Sequence, residues 1–280
     1  MSADPAQDFL GGLRDLPVLP AVVLELIESL AQAQVTIGEL AQKIAHDQAL
    51  AAKTLRLANS TFYGMPRQVS AISEAATILG LRTLRSVATA AGLVGGLAPG
   101  ACAGFDFQSF WRHGIGTALC ARLIARGRAM DEEAAFTLGL LHDIGRLALV
   151  TRYPQAYAQV LARQRATDEA TLDAERGVLG LDHAAAGAVM ARHWRFAPEV
   201  AQAIALHHNP PLEGQLSLID VVHVADCMAH ALDLAQLQHD AVPSLSLVAW
   251  HRLALEQTEC LELFAEVERQ HEAVCQALLT

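Results

Sequence analysis

The chain has 280 residues, enough for one large domain or two modest ones with a buried core. Hydrophobic residues make up 52% against 18% charged, which excludes a disordered chain, and no uninterrupted apolar run of membrane-spanning length stands out. A net charge of −10 argues against broad phosphate-driven binding of nucleic acid, which needs a basic surface. The segment Met1-Ser-Ala-Asp-Pro-Ala-Gln-Asp8 carries acids where a signal peptide needs bases, so a cytoplasmic location is expected. Five cysteines form no CxxC pair, so reduced buried thiols are expected in place of disulfides or a zinc knuckle.

Helical periodicity runs through nearly the whole chain. Val23, Leu26, Ile27 and Leu30 mark an opening helix with Pro20 near its first turn. Thr36-Ile-Gly-Glu39 is a capping box for a second helix, and Asp47 caps a third through Leu50, Thr54 and Leu57. Ser70 is expected to cap a fourth that ends at Gly80, followed by another over about 82–94. Gly95 to Gly104 holds four glycines and a proline and reads as a linker. Beyond it, helices are expected near 107–126, 131–144, 154–165, 168–179, 183–194, 198–208, 216–233 and 244–279. The expected fold class is all-α, divided into residues 1–98, 105–235 and a tail over 236–280. The last helix carries Leu261, Phe264, Val267, His271, Val274 and Leu278 at steps of three and four. Docking on its own domain is the favoured reading of that seam, with a homodimer zipper as the alternative.

The 12 histidines are where chemistry is to be sought. His142-Asp143 ends an apolar helix inside Leu140-Leu-His-Asp-Ile-Gly145, putting a nitrogen ligand beside a carboxylate in a low-dielectric setting. An unpaired carboxylate there is costly, and a metal ion removes that cost. Alone, the pair reads as a hydrogen-bonded core feature. His113, His183, His207-His208 and Asp226 lie on or beside successive apolar helices, as ligands do in a helical bundle core.

The order His, His-Asp, His, His-His, Asp resembles the HD superfamily of metal-dependent phosphohydrolases. Leu16-Pro-Val-Leu-Pro20, His46-Asp-Gln-Ala-Leu50, Leu55-Arg-Leu-Ala-Asn-Ser60, Phe62-Tyr-Gly64 and Ile78-Leu-Gly-Leu-Arg-Thr-Leu84 narrow this to the HDOD (HD-related output domain) family of bacterial signalling proteins. The resemblance covers roughly residues 10–230 and continues through Phe110-Trp-Arg-His113, Gly139-Leu-Leu-His-Asp-Ile-Gly145 and Leu181-Asp-His183. It implies an N-terminal helical bundle packed on an HD-like helical bundle. It also implies one or two divalent transition-metal ions, such as iron or manganese. By position, His113, His142, Asp143 and Asp226 match the ligands of a mononuclear HD site. His183, His207 and His208 match the additional ligands of the two-metal HD-GYP branch, with Asp143 as the bridge. Arg146 stands where that branch has lysine, and it could neutralise a phosphate oxygen in catalysis. Asn209-Pro-Pro replaces the Gly-Tyr-Pro loop, so cyclic dinucleotide hydrolysis is not implied.

The remaining features are weaker. His46, His193, His223, His230, His239, His251 and His271 read as surface or satisfied core, although His223 shares a helical face with Asp226. Arg67, Arg82 and Arg85 read as a solvated or internally paired group, and Phe62-Tyr63 as an interhelical plug. Two functions follow from the resemblance. One is a regulatory module that relays a signal to a protein partner; the other is a metal-dependent phosphohydrolase for a nucleotide or other phosphate ester. A nucleic-acid-binding role through residues 70–90 is disfavoured by the acidic balance.

Overall fold

The computed structural model describes residues 21–28, 36–60, 62–64, 67–96, 102–167, 169–237 and 242–280, and every regular element among them is a helix. The expected roles of Pro20, Leu30, His239 and residues 97–101 of the 95–104 linker fall outside the described residues. The first half comprises α1 (Ala21–Glu28), α2 (Ile37–His46), α3 (Gln48–Ala58) and α4 (Ile72–Gly96). The Thr36 hydroxyl accepts from the Glu39 N–H while Glu39 reaches back to the Thr36 N–H, which fixes the start of α2. Asp47 caps α3 by accepting from the Leu50 N–H. Helix α4 starts one residue later than expected, with the Ala71 carbonyl taking its first bonds instead of Ser70. Gly80, at φ 78° and ψ 171°, kinks α4 where a helix end was expected.

The second half contains α5 (Phe107–Gly127), α6 (Glu132–Leu141), α7 (Ile144–Arg152), α8 (Pro154–Thr167), α9 (Thr171–Leu179), α10 (His183–His193), α11 (Pro198–Leu206), α12 (Leu218–Ala231), α13 (Leu247–Leu253) and α14 (Gln257–Leu279). Two breaks differ from the sequence reading. The helix expected over 131–144 stops at Leu141, and α7 follows over residues for which periodicity suggested nothing. The helix expected over 244–279 is cut at Ala254, which adopts φ 49° and ψ 43°. There the Arg128 guanidinium, 125 residues upstream, gathers the Leu253 and Ala254 carbonyls and the Glu259 carboxylate. A tertiary cap overrides local helical preference at that point.

Helix α5 is the central beam, packed on α6, α12 and α14, while α7 and α10 pack on each other. Segment 132–152 is long and apolar enough to resemble a membrane span, but it is broken at His142-Asp143 and 83% of its most apolar window is buried. One continuous set of buried apolar side chains runs from Val23 to Leu278. The C-terminal helix α14 lays Val267, His271, Val274 and Leu278 against this core, leaving Leu261 of the expected seam 59% exposed. Arg67 pairs with Glu74 and Arg82 with Asp131, so those two members of the basic group are paired within the chain. Phe62 stacks on Phe136 at 5.7 Å and lies under the Arg122 guanidinium at 4.4 Å, plugging the two halves together.

Glycines set the closest approach at the site. A Cβ on Gly145 of α7 would land on the His183 carbonyl oxygen and 2.5 Å from the Gly187 nitrogen, both on α10. Those neighbours are backbone and cannot rotate away. Gly145→Ala is therefore expected to cost at least about 3 kcal/mol of stability, at the top of the usual overpacking range. Urea unfolding of the variant checks this, and a loss below about 1 kcal/mol would refute the close approach.

Candidate metal centre

The structure brings all seven sequence-predicted ligand residues to one place. His113 lies midway along α5; His142 and Asp143 form the turn between α6 and α7. His183 opens α10 behind its N-cap Asp182, whose carboxylate accepts from the Ala185 N–H at 2.8 Å. His207 and His208 follow the end of α11, and Asp226 sits inside α12. All but His208 are less than 6% exposed, so their polar atoms must find partners in the protein.

Helix ends decide which way the rings face. The final turn of a helix leaves carbonyls without an intrahelical partner. The His142 Nδ1–H donates to the Gly139 carbonyl at 2.6 Å, and the His207 Nδ1–H to that of Ile204 at 2.7 Å, the same three-residue step at two helix ends. A carbonyl only accepts, so each ring carries a proton on Nδ1 and turns Nε2 inward, where the neutral ring offers a lone pair. His183 is fixed similarly, its Nδ1–H donating to Glu175 Oε2 at 2.7 Å. These are the outer hydrogen bonds that orient metal-ligating imidazoles.

Inside the ring, nitrogen and oxygen atoms face one another. His113 Nε2 stands 3.0 Å and His142 Nε2 3.5 Å from Asp226 Oδ1, and 3.2 Å apart. His183 Nε2 lies 3.1 Å and His207 Nε2 3.5 Å from Asp143 Oδ1, with His208 Nε2 2.9 Å from that of His183. His142 also reaches Asp143 Oδ1 at 3.7 Å, and His208 Nδ1 reaches Asp226 Oδ2 at 3.8 Å, which links the two groups. Ligand atoms about 2.1 Å from one ion are about 3.0 Å apart on an octahedral edge and about 3.4 Å apart on a tetrahedral one. Charge-assisted hydrogen bonds are shorter, about 2.7–2.9 Å. Asp143 Oδ1, both Asp226 oxygens and His207 Nε2 are buried without a hydrogen-bond partner among the described residues. Buried, orphaned, negatively charged oxygens facing imidazole lone pairs fit a divalent cation.

Three residues that sequence reading left aside belong here. Glu175 of α9 is fully buried and accepts from both the main-chain and Nδ1 groups of His183, and from the Tyr157 hydroxyl at 2.8 Å. Arg146 donates from Nε to the Tyr157 oxygen at 3.3 Å and from Nη1 to Asp143 Oδ2 at 3.1 Å, closing a ring from Asp143 through Arg146, Tyr157 and Glu175 to His183. His230, read from sequence as surface or satisfied core, stands with Nε2 3.4 Å from Asp226 Oδ1. Its only sequence signal is the four-residue step from Asp226 on one helix. By contrast, His223 is structural: its Nδ1–H donates to the His207 carbonyl at 2.7 Å and its Nε2 accepts the Ser246 N–H at 2.8 Å. A cavity of about 570 Å³, lined by Phe105, Arg146, Gln164, Arg165 and Asn209 among others, opens onto His113, Asp143, His183, His208, Asp226 and His230.

The metal-free cluster is electrostatically divided. Burial, helped by the neighbouring His230 ring, lowers His113 to about 4, and burial beside His207 and His183 lowers His208 to about 2. Burial also opposes charge on His183, but Glu175 and Asp143 outweigh it and lift that ring to about 10. Burial works against charge on Asp143 and Asp226 too, and the imidazoles around them hold both carboxyls well below the usual range. His113 and His208 must stay neutral in the fold, so their contribution is present above the unfolded value of about 6.5 and is lost as pH falls. His183 gains by being charged, so its contribution is present below about 6.5 and is lost as pH rises toward 10. Chelator-treated protein is therefore expected to be most stable near pH 6.5, declining by about 1.4 kcal/mol per pH unit for each unshared proton. Urea midpoints at about pH 5, 6.5 and 8.5 check this; a steady rise across the range would contradict it.

With this geometry in view, the comparisons with known proteins are specific. A crystal structure of an HDOD domain protein from Geobacter sulfurreducens matches with a TM-score of 0.85 at 26% identity, covering 99% of this chain and 98% of that one. A Shewanella amazonensis SB2B structure, provisionally described as a phosphohydrolase, matches with a TM-score of 0.78 at 28% identity, over 96% of this chain and 97% of that one. A curated protein of Treponema pallidum (strain Nichols) is 28% identical over 258 residues, 87% of this chain and 47% of its own length, so the chain spans about half of that relative. The HDOD domain model matches residues 16–210, from Leu16-Pro-Val-Leu-Pro20 through the double histidine, and the chain belongs to the HDOD family.

Proposed function

We propose that this HDOD protein is a signal-transduction module whose HD-like half holds two divalent transition-metal ions and takes a phosphate ester or nucleotide in the cavity above them. The observation that carries this reading is the convergence of five imidazoles and two carboxylates, with His142, His183, His207 and Asp143 each tied down from outside by a hydrogen bond. His113, His142 and Asp226 would hold one ion, His183, His207 and His208 the other, with Asp143 between them. Iron or manganese suits this mixed imidazole and carboxylate set. Its partner in the regulatory role is a signalling protein, since a net charge of −10 disfavours nucleic acid.

A second reading, hydrolysis of the bound ester, is favoured by the cavity reaching down to the cluster with Arg146 in its wall. Bound ions there supply Lewis acidity and an acidified water for attack at phosphorus. The chain's own part is positional. Asp143 is aimed by Arg146, and the guanidinium edge facing the cavity offers a cation to a phosphate oxygen.

Elemental analysis of protein purified without chelator is expected to find about two transition-metal equivalents, and none in Asp143→Ala. Hydrolysis of a generic phosphodiester with added Mn²⁺ or Fe²⁺ that vanishes in Asp143→Ala would support the second reading. Bound metal with no turnover across nucleotide substrates would leave the regulatory one. A parent protein that takes up no metal would remove both.

A further inference from the structure

We infer that His230 is a metal ligand as well, adding a third imidazole on the cavity side of the ion assigned to His113, His142 and Asp226. The inference rests on the metal-centre reading above and extends its ligand set. Asp226 and His230 lie one turn apart on α12, so both project from one face of that helix. His230 Nε2 is 3.4 Å from Asp226 Oδ1, and its ring lies 4.3 Å from that of His113, tilted by 42°. The ring also lines the cavity.

A simple hydrogen bond from His230 to Asp226 does not account for this arrangement. The separation exceeds the about 2.7–2.9 Å of an imidazolium–carboxylate bond and equals a tetrahedral ligand edge of about 3.4 Å. Three Nε2 atoms, from His113, His230 and His142, stand at 3.0, 3.4 and 3.5 Å from the same oxygen. One carboxylate oxygen has two lone pairs and cannot accept from three donors. Three nitrogens gathered on one oxygen are what a shared cation produces. The same lobe contains His113, Asp226 and His230 as a group whose ligand atoms lie within 4.8 Å of one another.

The test is calorimetric titration of the chelator-stripped full chain with Zn²⁺, comparing the parent with His230→Ala and with His193→Ala, a substitution at an exposed position. His230→Ala is expected to weaken one class of site by about tenfold or more while the other class and the His193→Ala control stay within about twofold. Histidine ¹⁵N spectra of the parent give an independent readout that needs no folded alanine variant. The ring resonance identified by its absence in His230→Gln is expected to shift when Zn²⁺ binds. Two bound ions with unchanged affinities in His230→Ala and an unmoved His230 resonance would overturn this inference and leave the metal centre standing. A parent that binds no Zn²⁺ would overturn the metal centre, and this inference with it.

Discussion

Lone pairs that face one another in a buried space are the constraint around which the second half of the molecule is built. Asp143 and Asp226 are 5% and 1% exposed, so each charged oxygen has given up water. Leaving such charges uncompensated costs several kcal/mol apiece. Neutral rings offer little relief, since His142, His207 and His183 each turn one N–H outward to a carbonyl or to Glu175, and the charged form of His183 is what offsets Asp143 without a cation. A divalent cation in the middle would convert the repulsion into ligation. The same groups that oppose folding without a cation would then favour it, coupling metal uptake to stability.

The backbone supplies most of the orienting structure. Carbonyls of the last turns of α6 and α11, which any helix leaves over, become acceptors for His142 and His207. The carbonyl of His207 is in turn held by His223, which also takes the Ser246 N–H from the loop before α13. Side chains do the rest, through the hydrogen-bonded ring from Asp143 through Arg146, Tyr157 and Glu175 to His183. Arg146 therefore neutralises part of the Asp143 charge from the side away from the imidazoles. Lysine, with a single point of charge, could not hold the tyrosine oxygen and the carboxylate with separate nitrogens in one plane.

The sequence announced the elements whose signals are local and missed those imposed from a distance. The capping box at Thr36, the cap at Asp47 and the end of α11 before Asn209-Pro-Pro are set within a few residues, and the structure has them. Spacing and resemblance likewise led to His113, His142, Asp143, His183, His207, His208 and Asp226, which the fold brings together. The break at Ala254 depends on Arg128, and no window around residue 254 contains that information. Helix α7 was hidden because six of its nine residues are buried, which leaves few polar positions to mark a solvent face. Glu175 looked like one acid among many on a polar helix until α9 was seen to lie against the first turn of α10. His230 was concealed by its neighbours, since a lone histidine in an apolar helix more often fills a core than binds an ion.

How the N-terminal half bears on the site follows from two close contacts. A Cβ on Gly139 of α6 would meet backbone atoms of Thr117 and Ala118 on α5 at 2.7–2.9 Å, so these helices touch main chain to main chain. His113 lies one turn before that contact and His142 one turn after it. The segments that carry His113 and His142 are thus packed at the closest approach two helices allow. Helix α4 packs on α6, and Phe62 and Tyr63 hold Arg122 of α5 from the same side. Both beams that carry His113 and His142 are thus gripped by the N-terminal half. His183 is anchored separately, through Glu175 and the glycine contact between α7 and α10. Asp143, the carboxylate that both groups of imidazoles share, spans these two anchorages.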